Sequence, residues 1–241
     1  MERVGGCSQS VNQPFQAFMD DYDPYDLRNA TFGEFVGFLF DREVVPISMQ
    51  ENGAPKPWHW RAEVAFDPTQ IASFYIALFT TPNTVLENYS SEQLNQGFWA
   101  IQSSNLQCGI PEVIWDQALP FDIRESCVRS MFHLYEQLFS KISLETAADM
   151  WWDSLAYDWD CGIRARGKGG EDEQMQDVMF DTLGKILRLP SEECQMAALH
   201  GLGHLRHPET SPLIGAYLAQ RPEIDTDLKE YALAAARFEV L

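Results

Sequence analysis

Apolar positions in the C-terminal half of the chain recur at intervals of three and four residues. Between Ile123 and Phe139, for example, this spacing joins Cys127, Met131 and Tyr135 to the same stripe. A stripe of this period is typical of an α-helix with one buried face. The same pattern predicts five further helices, over residues 147–159, 173–189, 191–204, 213–218 and 224–240.

Capping sequences mark three helix starts in the N-terminal half. Thr31–Glu34 and Ser90–Gln93 have the spacing of a capping box, in which the first and fourth residues exchange hydrogen bonds with each other's backbone. Asp67 precedes Pro68, and proline suits the first position of a helix. An apolar run follows each signal, so we predict three further helices.

Residues 44–66 have a different pattern. From Trp58 to Phe66 apolar residues alternate with polar or small ones, and Asn52-Gly53 is a turn-forming pair. We therefore predict a small β-hairpin near residues 44–66, with irregular structure as the alternative. Residues 1–30 are polar and are expected to form a mobile or loosely packed segment.

These patterns predict a mainly α fold. Residues 1–119 would form an N-terminal helical region with the hairpin, and residues 120–241 a set of tandem helices. We expect the two ranges to form one continuous unit.

A resemblance to HEAT-like (armadillo-type) repeats accompanies the helical pattern in residues 120–241. Met196–Pro208 resembles the first helix and turn of such a repeat, and Ala232–Phe238, about 35 residues later, resembles a degenerate copy. Cys127–Tyr135 precedes the first of these by close to twice that spacing. The resemblance implies helical hairpins stacked into a short α-solenoid. Ankyrin repeats are the second choice, and residues 1–119 resemble no family.

The chain is strongly acidic. It has 241 residues with 36 Asp and Glu against 17 Lys and Arg, a formal net charge of −19, divided almost evenly between the two halves. Phosphate backbones and anionic lipids are bound through clusters of Lys and Arg, which are missing here. The charge therefore favours a basic protein partner over nucleic acid or membrane, although acidity that serves only solubility is an equal alternative.

Cysteine usage and hydropathy predict a cytoplasmic protein. The five cysteines are widely spaced and include no C-x-x-C pair, which indicates reduced thiols. The N-terminus has no apolar signal-peptide core, and no apolar stretch approaches the roughly 20 residues that a membrane span requires.

Aromatic and acidic residues are concentrated near the middle of the C-terminal half. Trp151 and Trp152 are adjacent on a predicted helix and point about 100° apart, so one of them could reach a groove. An acidic rim around an aromatic anchor is the usual anatomy of a site for a basic protein. The predicted binding residues are Trp151, Trp152, Asp153, Asp158, Asp160, Glu171, Asp172 and Glu173.

Three histidines form a candidate metal face. His200, His204 and His207 lie at positions i, i+4 and i+7, and a continuous helix would align them along one stripe. HEAT-like hydroxylases hold iron with His-Glu pairs, and Pro208 after His207 departs from that pattern. We keep the three as weak metal candidates, with a packing stripe as the alternative.

Motifs for catalysis are missing from the sequence. Gly162–Gly169 has the spacing of a phosphate-binding loop, but Gly169 stands where Ser or Thr must bind magnesium, and a predicted helix precedes it. No G-x-S-x-G marks a nucleophile. We therefore predict no catalytic residue and no cofactor, and interpret this segment as a flexible loop.

The leading functional hypothesis is a non-catalytic acidic protein-binding module. Its sharper form is an immunity or inhibitor protein that neutralises a basic toxin or nuclease. This form of the hypothesis rests on the size and charge of the chain. A DNA mimic is one alternative, and a metal-dependent enzyme using the histidine stripe is another.

Overall fold

The computed structural model describes residues 22–45, 57–144 and 146–240. In these ranges most residues are helical, which confirms the predicted mainly α fold. The α-helices are α1 (Phe32–Phe40), α2 (Pro68–Thr80), α3 (Pro82–Leu86), α4 (Ser91–Gln102), α5 (Ile110–Trp115), α6 (Phe121–Leu134), α7 (Asp153–Asp160), α8 (Glu171–Ile186), α9 (Glu192–Leu205), α10 (Thr210–Ala219) and α11 (Thr226–Ala236). A π-helical turn, Tyr135–Phe139, continues α6, and 3-10 turns occupy Trp58–Trp60 and Asp149–Trp152.

The caps read from the sequence begin their helices as expected. The Thr31 and Ser90 hydroxyls each accept a hydrogen bond from the backbone three residues on, within capping boxes. The Asp67 side chain accepts from the Gln70 N–H at the start of α2. The sequence interpretation missed α3 and α5, because five or six residues are too few to show a helical period.

A two-stranded sheet is the small β element of the fold. The alternating segment contributes β2 (Ala62–Ala65), and this strand pairs in parallel with β1 (Asp23–Asp26). The partner therefore differs from the hairpin partner predicted nearby in sequence, and Asn52-Gly53 lies outside the described residues. A parallel pair needs a long connection, which here includes α1. β1 carries no alternating pattern, so the sequence predicted only a loosely packed segment there.

The two sequence ranges share one apolar core. Helix α2 packs along α6 across the boundary at residues 119 and 120, and the Cys127 thiol donates to the Ala72 carbonyl at 3.5 Å. The Phe79 and Trp151 rings meet edge to face, with centroids 5.6 Å apart. In the C-terminal half, α9 packs against α7, α8, α11 and the turn Asp149–Trp152. Side chains of α9 are therefore held from several sides.

Candidate functional site

Helix α9 carries two of the three predicted histidines and ends before the third. The Ser191 hydroxyl caps its start by accepting from the Cys194 N–H. Its last residue is Leu205, and Arg206 then takes a left-handed conformation with φ 53°. The chain turns at this point, so the predicted stripe is broken between His204 and His207.

His200 and His204 converge on one carboxylate from α7. His200 Nε2 lies 2.6 Å from Asp153 Oδ1, and His204 Nε2 lies 3.6 Å from the same oxygen. The two rings are nearly perpendicular, with centroids 4.6 Å apart. The i, i+4 spacing on α9 places both rings on one face, and the packing of α7 against α9 brings Asp153 to them. The three side chains form the Asp153–His200–His204 cluster.

The other ring nitrogens of the cluster face polar groups of neighbouring elements. His200 Nδ1 lies 2.5 Å from the Tyr231 hydroxyl on α11. His204 Nδ1 lies 3.7 Å from Asp160 Oδ1, which also accepts from Arg206 Nε at 2.9 Å. Burial, with the nearby carboxylates adding to it, raises the pKa of Tyr231 to about 12, so this phenol stays neutral. Hydrogen bonds therefore hold the His200 ring at both nitrogens, and the His204 ring lies with Nε2 facing Asp153.

The hydrogen bonding of the cluster is incomplete. A proton on His200 Nε2 can go to Asp153, with the Tyr231 hydroxyl donating to Nδ1, and this satisfies His200. His204 Nε2 is buried and has no hydrogen-bond partner among the described residues. Its 3.6 Å separation from Asp153 Oδ1 is too long for a hydrogen bond. Such an orphan nitrogen calls for a ligand or a water.

His207 belongs to a different environment, which corrects the prediction of a three-histidine stripe. Its ring stacks on Phe180 with centroids 4.1 Å apart, and Nε2 lies 3.0 Å from Asp177 Oδ1. The Glu209 N–H donates to His207 Nδ1 at 3.1 Å, so neutral His207 carries its proton on Nε2 and donates it to Asp177. His207 therefore locks the turn after α9 and takes no part in the cluster.

Stability should fall in mild acid because of His207. Burial lowers its pKa below the usual 6.5, which outweighs the opposing effect of Asp177. As pH falls through 6.5, the unfolded chain binds a proton more readily than the folded one, so the wild type loses stability relative to His207→Gln. Urea denaturation of both proteins at a series of pH values from 7 to 5 measures this. A difference in unfolding free energy that does not change with pH would contradict the assignment.

The two tryptophans predicted as a binding anchor are core residues. Trp151 and Trp152 are both fully buried. Trp151 packs edge to face against Phe98 and Phe139, and its indole N–H lies 3.3 Å from the Met131 sulfur. The expectation that one of them reaches a groove is therefore wrong, because α9 packs on this segment and aromatic rings cover Trp151.

The acidic rim predicted around the tryptophans is paired within the molecule. Arg164 joins Asp158 at 2.9 Å and Asp172 at 2.7 Å, and its guanidinium lies over the Trp115 ring. The buried Arg124 binds Glu171. Asp160 is bound by Arg206, as described above. Much of the negative charge that the sequence suggested here is therefore paired with arginines of the same chain.

Glu173 fills the loop that resembles a phosphate-binding motif. Its Oε1 accepts hydrogen bonds from the Gly167 N–H at 2.8 Å and the Gly169 N–H at 2.7 Å. These bonds lower the pKa of the Glu173 carboxyl. The loop lies between α7 and α8 and does not follow a strand, as a phosphate-binding loop would. The backbone groups that would bind a phosphate already hold a carboxylate.

A small cavity that the sequence analysis did not predict opens beside the Asp149–Trp152 turn. It has a volume of about 70 Å³. Its walls come from the π-helical turn, the segment after it and the start of α9, namely Tyr135, Phe139, Ile142, Ser143, Leu144, Ala148, Asp149, Glu193 and Cys194. Inserted π-helical turns are frequent at functional sites. We call this feature the Asp149–Glu193 cavity.

The two carboxylates of the cavity are not neutralised. Within residues 22–45, 57–144 and 146–240, neither Asp149 nor Glu193 forms an ion pair with Lys or Arg. Burial and then the nearby Glu193 raise the pKa of Asp149, while His200 acts in the opposite direction. A cation placed here would relieve the repulsion between the two acids.

The cavity and the histidine cluster are neighbours at the junction of the Asp149–Trp152 turn, α7 and α9. No sequence signal marked the cavity, because Asp149 and Glu193 are 44 positions apart and lie in different elements. Comparisons of the chain with protein-family models, curated proteins and solved structures find no match.

Proposed function

We propose that this chain is a non-catalytic acidic protein that binds a cationic protein partner, with the Asp149–Glu193 cavity receiving a Lys or Arg side chain. The observation that carries the proposal is a pair of unneutralised carboxylates at a small cavity, in a chain of net charge −19. Each acid of the predicted rim, by contrast, has an internal partner. The two cavity acids remain available to an external cation.

The lining of the cavity supports a side chain as its occupant. Tyr135, Phe139 and Leu144 offer apolar walls for a methylene stem, and the carboxylates of Asp149 and Glu193 face a charged tip. A volume of about 70 Å³ is small against the roughly 300–1,000 Å³ of pockets for drug-sized ligands. The cavity therefore suits the end of one side chain better than a free metabolite.

The overall charge supports fast association with a basic partner. A net charge of −19 attracts a cationic protein over long range, and such steering raises association rates in a salt-dependent way. We extend the proposal to an immunity or inhibitor protein that neutralises a basic toxin or nuclease. A DNA mimic needs ordered rows of free surface acids, and the acids of the predicted rim are paired internally.

We place this activity in the cytoplasm and on a HEAT-like scaffold. Cys108, Cys127, Cys161 and Cys194 are free thiols, which is compatible with a reducing compartment. None of the helices in the described ranges has both the length and the apolar character needed to cross a membrane. The packing of α9 between α8 and α11 suits stacked helical hairpins.

Neutralising the cavity should weaken binding to a cationic ligand about tenfold. We would titrate a fluorescent peptide rich in Lys and Arg with the wild type and with the double variant Asp149→Asn/Glu193→Gln, at low and moderate salt. Loss of two carboxylates that contact the ligand accounts for the effect, which anisotropy measures as a change in Kd.

The matched control is Asp122→Asn/Glu223→Gln, which removes two exposed acids outside the cavity. We expect it to change Kd by less than about twofold. If both double variants weaken binding equally, the peptide responds to the total negative charge of the protein and not to the cavity. That result would overturn the role of the cavity. A wild type that binds no cationic peptide even at low salt would overturn the proposed function itself.

A further inference from the structure

We infer that Asp153, His200 and His204 form a binding site for a divalent transition-metal ion of the Zn²⁺ type. The three ligand atoms lie within 4.8 Å of one another. The inference rests on the geometry of the cluster and is independent of the proposed partner.

The ligand spacing is close to that around a bound ion. Zn²⁺ bound at about 2.0–2.2 Å in tetrahedral geometry separates its ligand atoms by roughly 3.3 Å. The pair His204 Nε2 and Asp153 Oδ1, at 3.6 Å, is already near this value. The pair His200 Nε2 and Asp153 Oδ1, at 2.6 Å, must open by about 0.7 Å to reach it. The Asp153 side chain is 31% exposed, so it is not enclosed on all sides.

The neighbours of the cluster are those that metal-binding histidines use. In metal sites the second ring nitrogen of a ligand histidine is usually held by a carboxylate, carbonyl or other polar group, which orients the ring. With Nε2 on an ion, His200 would carry its proton on Nδ1 and donate it to the Tyr231 hydroxyl, and Asp160 faces the second nitrogen of His204. Both rings thus present Nε2 to the same point, which packing alone does not require.

An ion would also satisfy the orphan nitrogen of the cluster. A single proton between His200 and Asp153 leaves His204 Nε2 buried and unpaired, as described above. A metal ion accepts the lone pairs of both Nε2 atoms and of Asp153 Oδ1 together. The ion thereby supplies the partner that His204 Nε2 lacks.

The donor set selects the class of metal. Two imidazoles and one carboxylate suit Zn²⁺ and its transition-metal neighbours, whereas Ca²⁺ and Mg²⁺ prefer oxygen ligands. Three protein ligands leave at least one coordination position open. The partial exposure of Asp153 places that position toward solvent, where water or a ligand can occupy it.

Cobalt titration tests the site directly. Co²⁺ is the probe, added to the full chain purified without a histidine tag and followed by visible absorption, and Zn²⁺ is then used in competition. We expect one tightly bound Co²⁺ per chain with a tetrahedral or five-coordinate spectrum, displaced by Zn²⁺. His204→Gln and Asp153→Asn should each weaken binding about 100-fold, because each removes one of three ligands.

His133→Gln is the matched control, since exposed His133 also has a carboxylate, Glu136, within 3.2 Å but no second imidazole. It should leave Kd unchanged. Tyr231→Phe keeps all three ligands and should weaken binding about tenfold, which keeps the test valid if a ligand variant fails to fold. Failure of the wild type to bind Co²⁺ stoichiometrically, or equal binding by the wild type, Asp153→Asn and Tyr231→Phe, would overturn the inference.

Discussion

Replacing Arg124 with Met is expected to lower the free energy of unfolding by about 3 kcal/mol. Arg124 is almost fully buried, and its guanidinium donates to the carbonyls of Leu119 at 3.1 Å and Ile114 at 3.5 Å. Methionine fills similar space but leaves both carbonyls without a donor, and each buried unpaired group costs about 1–3 kcal/mol. Urea denaturation followed by circular dichroism measures the change.

Glu171→Gln separates the buried bonds of Arg124 from its ion pair. The Glu171 side chain is 47% exposed, so water replaces much of what the pair contributes. We expect a loss below about 1 kcal/mol. Equal losses in the two variants would contradict this account, because they would mean that the ion pair and not the carbonyl bonding holds α5, α6 and α8 together.

Gly201→Ala is expected to destabilise the protein by about 3 kcal/mol. A Cβ at this position would lie 2.7 Å from both Cβ and Cγ of Trp152 and 2.8 Å from Leu183 Cδ2. The tryptophan atoms are at the root of a buried side chain, so they can move only if α9 shifts away from the Asp149–Trp152 turn. Chemical or thermal denaturation gives the magnitude.

Gly215→Ala is the matched change in an open place. Gly215 lies inside α10, and nothing would come within 4 Å of the added Cβ. Alanine favours the helix, so we expect a gain of about 0.5–1 kcal/mol. The same sign of change for both variants would contradict the close approach of α9 to Trp152.

Local rules accounted for much of the helical fold. The positions of Thr31, Asp67, Ser90 and Ser191 predicted four helix starts, because a cap acts within one turn of its own residue. Periodicity located the longer helices for the same reason. The partner of β2 was not predictable, since β1 is some 40 residues distant and carries no alternation. Strand pairing of that kind is decided by the packing of the whole fold.

The candidate site was predictable only in part. The i, i+4 spacing correctly grouped His200 with His204, which share a helical face. His207 separated from them because α9 ends at Leu205 and Arg206 adopts a left-handed conformation, an end that the predicted helix limit at residue 204 and Pro208 both indicated. Asp153 was predicted only as one of the acidic binding residues. Its contact with the histidines depends on how α7 packs on α9, which the sequence does not show.

Charge pairing explains why the acidic rim was misjudged. The sequence shows the charges of Asp158, Asp172 and Arg164. It does not show that the fold pairs them. The same limit hid Asp149 and Glu193, which looked like two ordinary acids. What distinguishes them is that the fold brings them together at one cavity, a property of tertiary structure.

The titration of the Asp149 carboxyl, followed by carbon-detected NMR in the free protein and with the cationic peptide bound, tests the proposed role of the cavity most directly. In the free protein we predict a pKa above the ordinary aspartate value, because of burial and the nearby Glu193. Binding should lower this pKa, since a Lys or Arg side chain favours the ionised form. An Asp149 pKa that is unchanged by a bound peptide would show that the cation binds elsewhere.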